Sequence, residues 1–196
     1  MFDWFSRDYQ LLPHERDRLR TTLRIAALFH DLGHAPLSHT TEGFMPSVAS
    51  LELDPWVAVG TDRRATHEDY TLKILTDSDL TELIRRRFRD RGIEPEDIAA
   101  LIAGRWPPGR PNRFVIGGRN WLPILRQVVS SELDADRMDY LLRDSYFAGV
   151  PYGRYDLDWL IENVVAIELG PDLHLGLYAR ASSGLKTISC PVTTCS

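Results

Sequence analysis

From Glu15 to Asp31, the apolar residues Leu19, Leu23, Ala26, Ala27 and Leu28 return at helical spacing among arginines, and the pattern breaks at Gly33 and Pro36. That period gathers the apolar side chains on one side of a helix, which must bury them against other elements. The same signal recurs along the chain. It predicts a short helix over His67–Leu75 after Thr66 as N-cap and a third over Asp79–Asp90 stopped by Gly92. A fourth starts after Glu94 with Pro95 in its first turn and closes at Gly104. Arg105–Arg113 holds three prolines and a glycine and reads as a loop. Trp121–Arg143 is the strongest helical segment, with a break near Ser130, and Asp156–Asn163 is a further helix. Beyond Asn163, "VVAIEL" and "HLGLYA" flank a Gly-Pro-Asp turn and predict a β-hairpin, while "KTISCPVTTCS" shows no amphipathic period. The expected fold is all-α, one helical domain over 1–165, with a small C-terminal β-hairpin and irregular tail over 166–196.

Charge and cysteine usage narrow the function classes. The 196 residues carry a net charge of -5, which argues against a non-specific nucleic-acid binder relying on a basic surface. A small anionic substrate in a local basic pocket stays compatible with that balance. No apolar run approaches the roughly 20 residues of a membrane span, so no membrane partner is expected. "MFDWFSRDYQ" lacks the layout of a signal peptide. The only cysteines, Cys190 and Cys195, exclude a disulfide framework and are too few for a zinc site, so a cytoplasmic location is expected. "IRRRFRDRG", from Ile84 to Gly92, reads as a solvated helix face, and the five tryptophans as packing residues.

Chemistry concentrates in "ALFHDLGHAPLSH", where three of the six histidines fall within ten residues after an apolar helix. His30 and Asp31 are adjacent on the last helical turn, about 100 degrees apart, so both can reach one ion beyond the helix end. Imidazole with carboxylate suits a divalent ion such as Mn, Mg, Fe, Ni or Zn. Taken alone, the pair reads as a capped helix end or a surface pair, and its surroundings favour the ion. His34 and His39 follow on the loop, placed to act as acid, base or anion contact. "THEDY" puts His67 at a helix start, followed by Glu68, a His-carboxylate combination suited to proton transfer or an exposed cap. In "SSELDADRMDYLLRDS", Asp136, Tyr140 and Asp144 are spaced four apart and share a helix face. Asp139 and Arg143 fit an i,i+4 pair. That face reads either as a solvated acidic surface or as a metal ligand followed by sugar contacts.

"LFHDLGHAPLSH", "THEDY" and "LDADRMDYLLRDS", in this order and continuing through "YFAGVPYGRYDLDWLI", resemble the HD-domain superfamily of metal-dependent phosphohydrolases. The likeness is to its dGTPase-like deoxynucleoside triphosphate triphosphohydrolase branch and spans roughly Arg18 to Ile161. It implies an all-α fold around one divalent metal ion, with His30, Asp31 and Asp136 as ligands. It further implies His67, Glu68 and His34 in catalysis, and His34, His39, Arg137, Tyr140 and Asp144 as substrate contacts. The implied reaction converts a dNTP and water to deoxynucleoside and triphosphate, in a protein that forms homo-oligomers. The family's first histidine ligand, in a pattern like Arg-x-x-His-Ser, has no counterpart before His30, since His14 stands in "LLPHERDRL". The resemblance therefore implies a truncated member with three of the four ligands, the vacant position falling to water or to a neighbouring subunit. Two other readings remain open: an HD phosphohydrolase acting on nucleoside monophosphates, cyclic nucleotides or (p)ppGpp, and a catalytically silent nucleotide-binding remnant.

Overall fold

A computed structural model describes residues 1–58, 60–180 and 186–189. In chain order the elements are α1 (Phe2–Phe5), α2 (Pro13–Phe29), α3 (His67–Thr76), α4 (Asp79–Arg87), α5 (Pro95–Ala103), β1 (Val115–Ile116), β2 (Arg119–Asn120), α6 (Leu122–Val129), α7 (Ala135–Ala148), α8 (Leu157–Asn163), β3 (Val164–Leu169), β4 (Asp172–Arg180) and β5 (Lys186–Ser189). Short 3-10 turns occupy Ser38–Phe44, Val48–Leu51 and Arg89–Arg91. The chain divides into two compact units, residues 12–114 and residues 1–11 together with the chain from 115 onward.

In the first unit, α5 packs against α2, α3 and α4. Its Ile98, Ala99, Ala100, Leu101 and Ile102 are wholly buried, as a helix apolar on every side must be. Leu19, Leu23 and Ala26 of α2, Leu72 and Leu75 of α3 and Ile84 of α4 join them in the core. Each such leucine or isoleucine contributes about 1.5–3 kcal/mol over its exposed state. The helices start where the sequence supplies side-chain acceptors for backbone N–H groups. The Glu15 carboxylate accepts the Leu12 N–H (2.9 Å), and Ser78 Oγ accepts the Leu80 N–H (3.1 Å). α2 ends at Phe29 with His30 as its cap, two residues short of the sequence expectation. The arginine run behaves as a solvated face: Arg85 pairs with Glu82 (2.7 Å) and Glu96 (3.2 Å), and Arg91 with Asp17 (3.3 Å).

The second unit corrects the all-α expectation. The molecule is mostly helical, but β1, β2, β4 and β3 lie in that order in a mixed sheet, with β5 also on β4. The expected hairpin is present: β3 and β4 pair antiparallel from Val164↔Leu177 to Leu169↔Asp172 around Gly170-Pro171. The expected boundary at 165 falls inside β3. β1 and β2 pair around Gly117 and Gly118, both at positive φ, as the tightest hairpin turns require. β2 then meets β4 in parallel at Asn120↔Asp172. Strands of two residues leave no period-2 pattern to read. Within the supposedly irregular tail, Lys186–Ser189 forms β5 antiparallel to β4, covering an edge that would otherwise be unpaired. Cys190 and Cys195 lie outside the described residues.

The expected break near Ser130 separates α6 from α7. α6 buries Leu122, Ile124, Leu125, Val128 and Val129, and the Gln127 side-chain oxygen accepts the Leu175 N–H (2.7 Å). Among the described residues no helix is long and apolar enough to cross a membrane.

Candidate functional site

At the end of α2 the backbone turns sharply: Leu32 N–H reaches the Phe29 carbonyl (3.0 Å) and His34 N–H the Asp31 carbonyl (3.1 Å). His30 Nδ1 lies 2.9 Å from the Ala27 carbonyl, which can only accept, so Nδ1 carries the proton. In the neutral ring this leaves the Nε2 lone pair 3.2 Å from Asp31 Oδ1, itself only an acceptor. Two facing acceptors call for a cation or a proton between them. The Nδ1–H···O=C bond is also the support that metal-binding imidazoles receive. The nitrogen and oxygen donors therefore fit a divalent ion. His34 Nε2 (3.6 Å) and His67 Nε2 (3.7 Å) approach the same Asp31 Oδ1, so three imidazoles surround one carboxylate oxygen.

The loop after His34 closes onto α3. Leu37 and Ser38 both take positive φ (69° and 53°), costly for residues with a Cβ, and this turn brings His39 back over its neighbours. The His34 and His67 rings stack at 3.9 Å, with His39 edge-on to both at 4.9 and 5.1 Å. Glu42 Oε1 accepts from His67 Nδ1 (2.6 Å) and lies 3.3 Å from His39 Nδ1. His34, His39, Glu42 and His67 present ligand atoms all within 4.8 Å of one another. Stacked parallel rings do not aim both lone pairs at one ion, so this group suits proton handling better than ligation. The hydrogen bond from His67 is the main cause holding Glu42 below the usual carboxylate range. Burial, then the neighbouring His67, lowers the His34 pKa against the pull of Asp31.

Adjacency in sequence pairs His67 with Glu68, but the carboxylate hydrogen-bonded to the ring is that of Glu42, 25 residues earlier. Consecutive helix residues diverge by about 100 degrees, and the Glu68 charge acts on Arg63. Glu42 went unrecognised in the sequence; its signal is the i,i+3 spacing from His39 on a 3-10 turn.

α3 starts from a firmly fixed first turn. Asp69 accepts two hydrogen bonds from Arg63 (2.6 and 2.8 Å) and the Thr66 N–H (2.8 Å). Burial pushes the Asp69 carboxyl up, but Arg63 and Thr66 outweigh it and hold it below the usual aspartate range. Thr71 Oγ1 donates to the His30 carbonyl and accepts the Gly33 N–H, both at 2.9 Å.

The remaining expected site residues lie on α7, in the other unit. The cap is Asp134, which accepts the Arg137 N–H (2.7 Å) and the Ser131 N–H (3.2 Å). Asp136, Tyr140 and Asp144 follow at i,i+4 steps, with Asp136 and Asp144 exposed. Arg137 pairs with Glu132 (2.5 Å), and the expected Asp139–Arg143 pair is formed (2.6 Å).

No family model matches the chain. It is 34% identical over 150 residues to the uncharacterized protein YwfO of Bacillus subtilis, a match covering 76% of this chain and 27% of that protein. The uncharacterized MG461 homolog of Mycoplasma pneumoniae is 31% identical over 157 residues, 80% of this chain and 31% of that protein. The deoxynucleoside triphosphate triphosphohydrolase SAMHD1 homolog of Dictyostelium discoideum is 30% identical over 140 residues, 68% of this chain and 22% of that protein. The chain thus spans about a third or less of the length of the curated relatives it matches.

Proposed function

We propose that the chain is a divalent-metal-dependent phosphohydrolase of the HD type, converting a deoxynucleoside triphosphate and water to deoxynucleoside and triphosphate. The observation that carries the reading is the convergence of the His30, His34 and His67 Nε2 atoms on Asp31 Oδ1. The likeness to proteins named deoxynucleoside triphosphate triphosphohydrolase supports the substrate class.

His30 and Asp31 would hold the ion, with Asp136 of α7 as a third ligand. When bound, such an ion polarises a phosphoryl oxygen and neutralises charge on the α-phosphate. A water attacks the α-phosphorus, the bond to the sugar 5'-oxygen breaks, and the proton the water sheds passes to solvent, from which His67 is re-protonated after each turnover. His67 gives that oxygen its proton. Glu42, on the far side of the ring, holds it in one tautomer and steadies its positive charge. His34 and His39 line the phosphate path, and Arg137 offers charge to the phosphates. Tyr140 and Asp144 contact the sugar.

The test is direct. With Mn or Mg, the purified protein should release intact triphosphate from a dNTP. Pyrophosphate or monophosphate as the first product would move the chain to another branch of phosphohydrolases. Folded protein that releases no phosphate with any divalent ion overturns the reading.

A further inference from the structure

Threonines inside helices commonly return their hydroxyl to the carbonyl four residues back. Thr22 does so to Arg18 (2.8 Å), and Thr76 to Leu72 (2.7 Å). Thr71 instead sends its hydroxyl out of α3 to the turn that follows α2. It donates to the His30 carbonyl, a helix-end acceptor left without an intrahelical partner, and accepts the Gly33 N–H. Thr71 is wholly buried, so its hydroxyl has no water to turn to in place of these two partners. Gly33 lies directly on the first turn of α3. A Cβ there would stand 2.1 Å from the His67 carbonyl oxygen, 2.5 Å from the Thr71 nitrogen and 2.7 Å from Tyr70 Cβ. Two of those atoms are backbone, so a side chain at 33 would force the turn and the helix apart.

We propose that Thr71 and Gly33 form a latch that sets the distance between the His30–Asp31 turn and His67, with Thr71 as a positioning residue for proton transfer. Its kinetic consequence rests on the phosphohydrolase reading above; its structural consequence does not. One side of the latch carries the pair placed to hold the ion, and the other carries the ring that serves the leaving oxygen. The fastening fixes the 3.7 Å approach of His67 to Asp31 and the 3.9 Å stack of His67 on His34. A misplacement of about 1 Å between reacting groups is enough for a roughly 100-fold loss of rate.

The experiment compares Thr71→Val, which keeps the shape and removes the hydroxyl, with Thr71→Ser, which keeps the hydroxyl. Three readouts are taken well below each variant's melting midpoint: exchange of the Gly33 amide, the ring-to-ring nuclear Overhauser contact between His34 and His67, and kcat and KM for triphosphate release. Thr71→Val should lose the Gly33 protection and the ring contact. Its kcat should fall about 10–100-fold, with KM within about twofold. Thr71→Ser should match the wild type in all three. If Thr71→Val does not fold, Thr71→Ala takes its place. Retained protection and ring contact in the hydroxyl-free variant overturn the latch, as does unchanged kcat in an active protein. If the wild type releases no triphosphate, the triphosphohydrolase reading fails, and amide exchange with the ring contact decides the latch by themselves.

Discussion

Around Asp31 the side chains are fixed by partners distant in sequence: Thr71 reaches back 38 and 41 residues, and Glu42 meets His67 across 25. Along α7 the contacts that fix side chains within its own unit are mostly local. Asp134 caps a backbone N–H 3 residues on, Arg143 meets Asp139 at 4 and Arg137 meets Glu132 at 5. Tyr155, donating to the Met138 carbonyl (2.6 Å), is a longer-range exception among the described residues. Of α7 only Ser145 is buried. The histidine turn therefore depends on its unit being folded, whereas α7 takes its shape largely from its own residues. Substitutions in the first region couple chemistry to stability, and those on the exposed face of α7 separate the two.

The largest expected effect tests that separation. Asp31→Asn and Asp136→Asn should each lower triphosphate release about 1000-fold or more, above the 10–100-fold typical when only a residue supporting a ligand is lost. Elemental analysis should show the bound ion lost in both. With the ion stripped from both proteins by chelator, urea melts should leave Asp136→Asn within about 0.5 kcal/mol of wild type, as for an exposed position. A variant at 136 that keeps its ion and its rate removes that carboxylate from the site. One that unfolds breaks the contrast between the regions. Next in size, His67→Ala should cost about 100-fold in kcat, within the range of a proton-transfer group. Glu42→Gln should cost about 10-fold, because the amide still fills the place beside Nδ1 but carries no charge. Equal effects at both positions would make Glu42 a direct participant instead of a support for the ring.

Asp69 sharpens the coupling of site and stability in the first region. Its native carboxyl titrates below the ordinary aspartate value of about 3.9. Between the two values the unfolded chain binds more protons than the native one, so stability rises with pH there. The contribution is fully present above the ordinary value and is lost as pH falls through the native one. At neutral pH, Asp69→Asn should cost about 1.5–3 kcal/mol, the worth of hydrogen bonds to a charged group. Urea melts taken at successively lower pH should show the gap between wild type and variant closing. A gap that stays constant into acid would mean that shape, not charge, holds the first turn of α3.

Most of this architecture was legible because helical periods and their punctuation are local. Gly92, Pro95 and Gly104 mark ends that the structure keeps within a few residues. The histidines were legible by density, since His30, His34 and His39 fall on one turn of chain. What escaped were roles created by tertiary contact. Gly33 reads as a helix breaker, and only the neighbouring helix shows that a Cβ there has no room. Thr71 is an ordinary mid-helix threonine until the His30 carbonyl arrives beside it. Glu42 belongs to a 3-10 turn whose sequence, "SHTTEGF", has no amphipathic period, and adjacency in sequence favoured Glu68. The sheet is only partly legible for the same reason, as two-residue strands gain their meaning from the partner they meet.

The smallest effect belongs to α7 and asks whether its shape is local after all. Asp134 accepts N–H groups from both sides of the helix start, whereas the Asp139–Arg143 pair joins two largely exposed side chains. Removing the cap with Asp134→Ala should cost about 1 kcal/mol. Removing the pair with Arg143→Ala should cost less than removing the cap, and less still in high salt, because an exposed pair is screened. Urea melts of the two single variants and the double variant decide the matter. If α7 is specified locally, the two costs should add within about 0.5 kcal/mol, since the cap and the pair share no partner. A larger coupling would show that α7 responds as one unit to packing beyond its own residues, and the contrast with the histidine turn would then be one of degree.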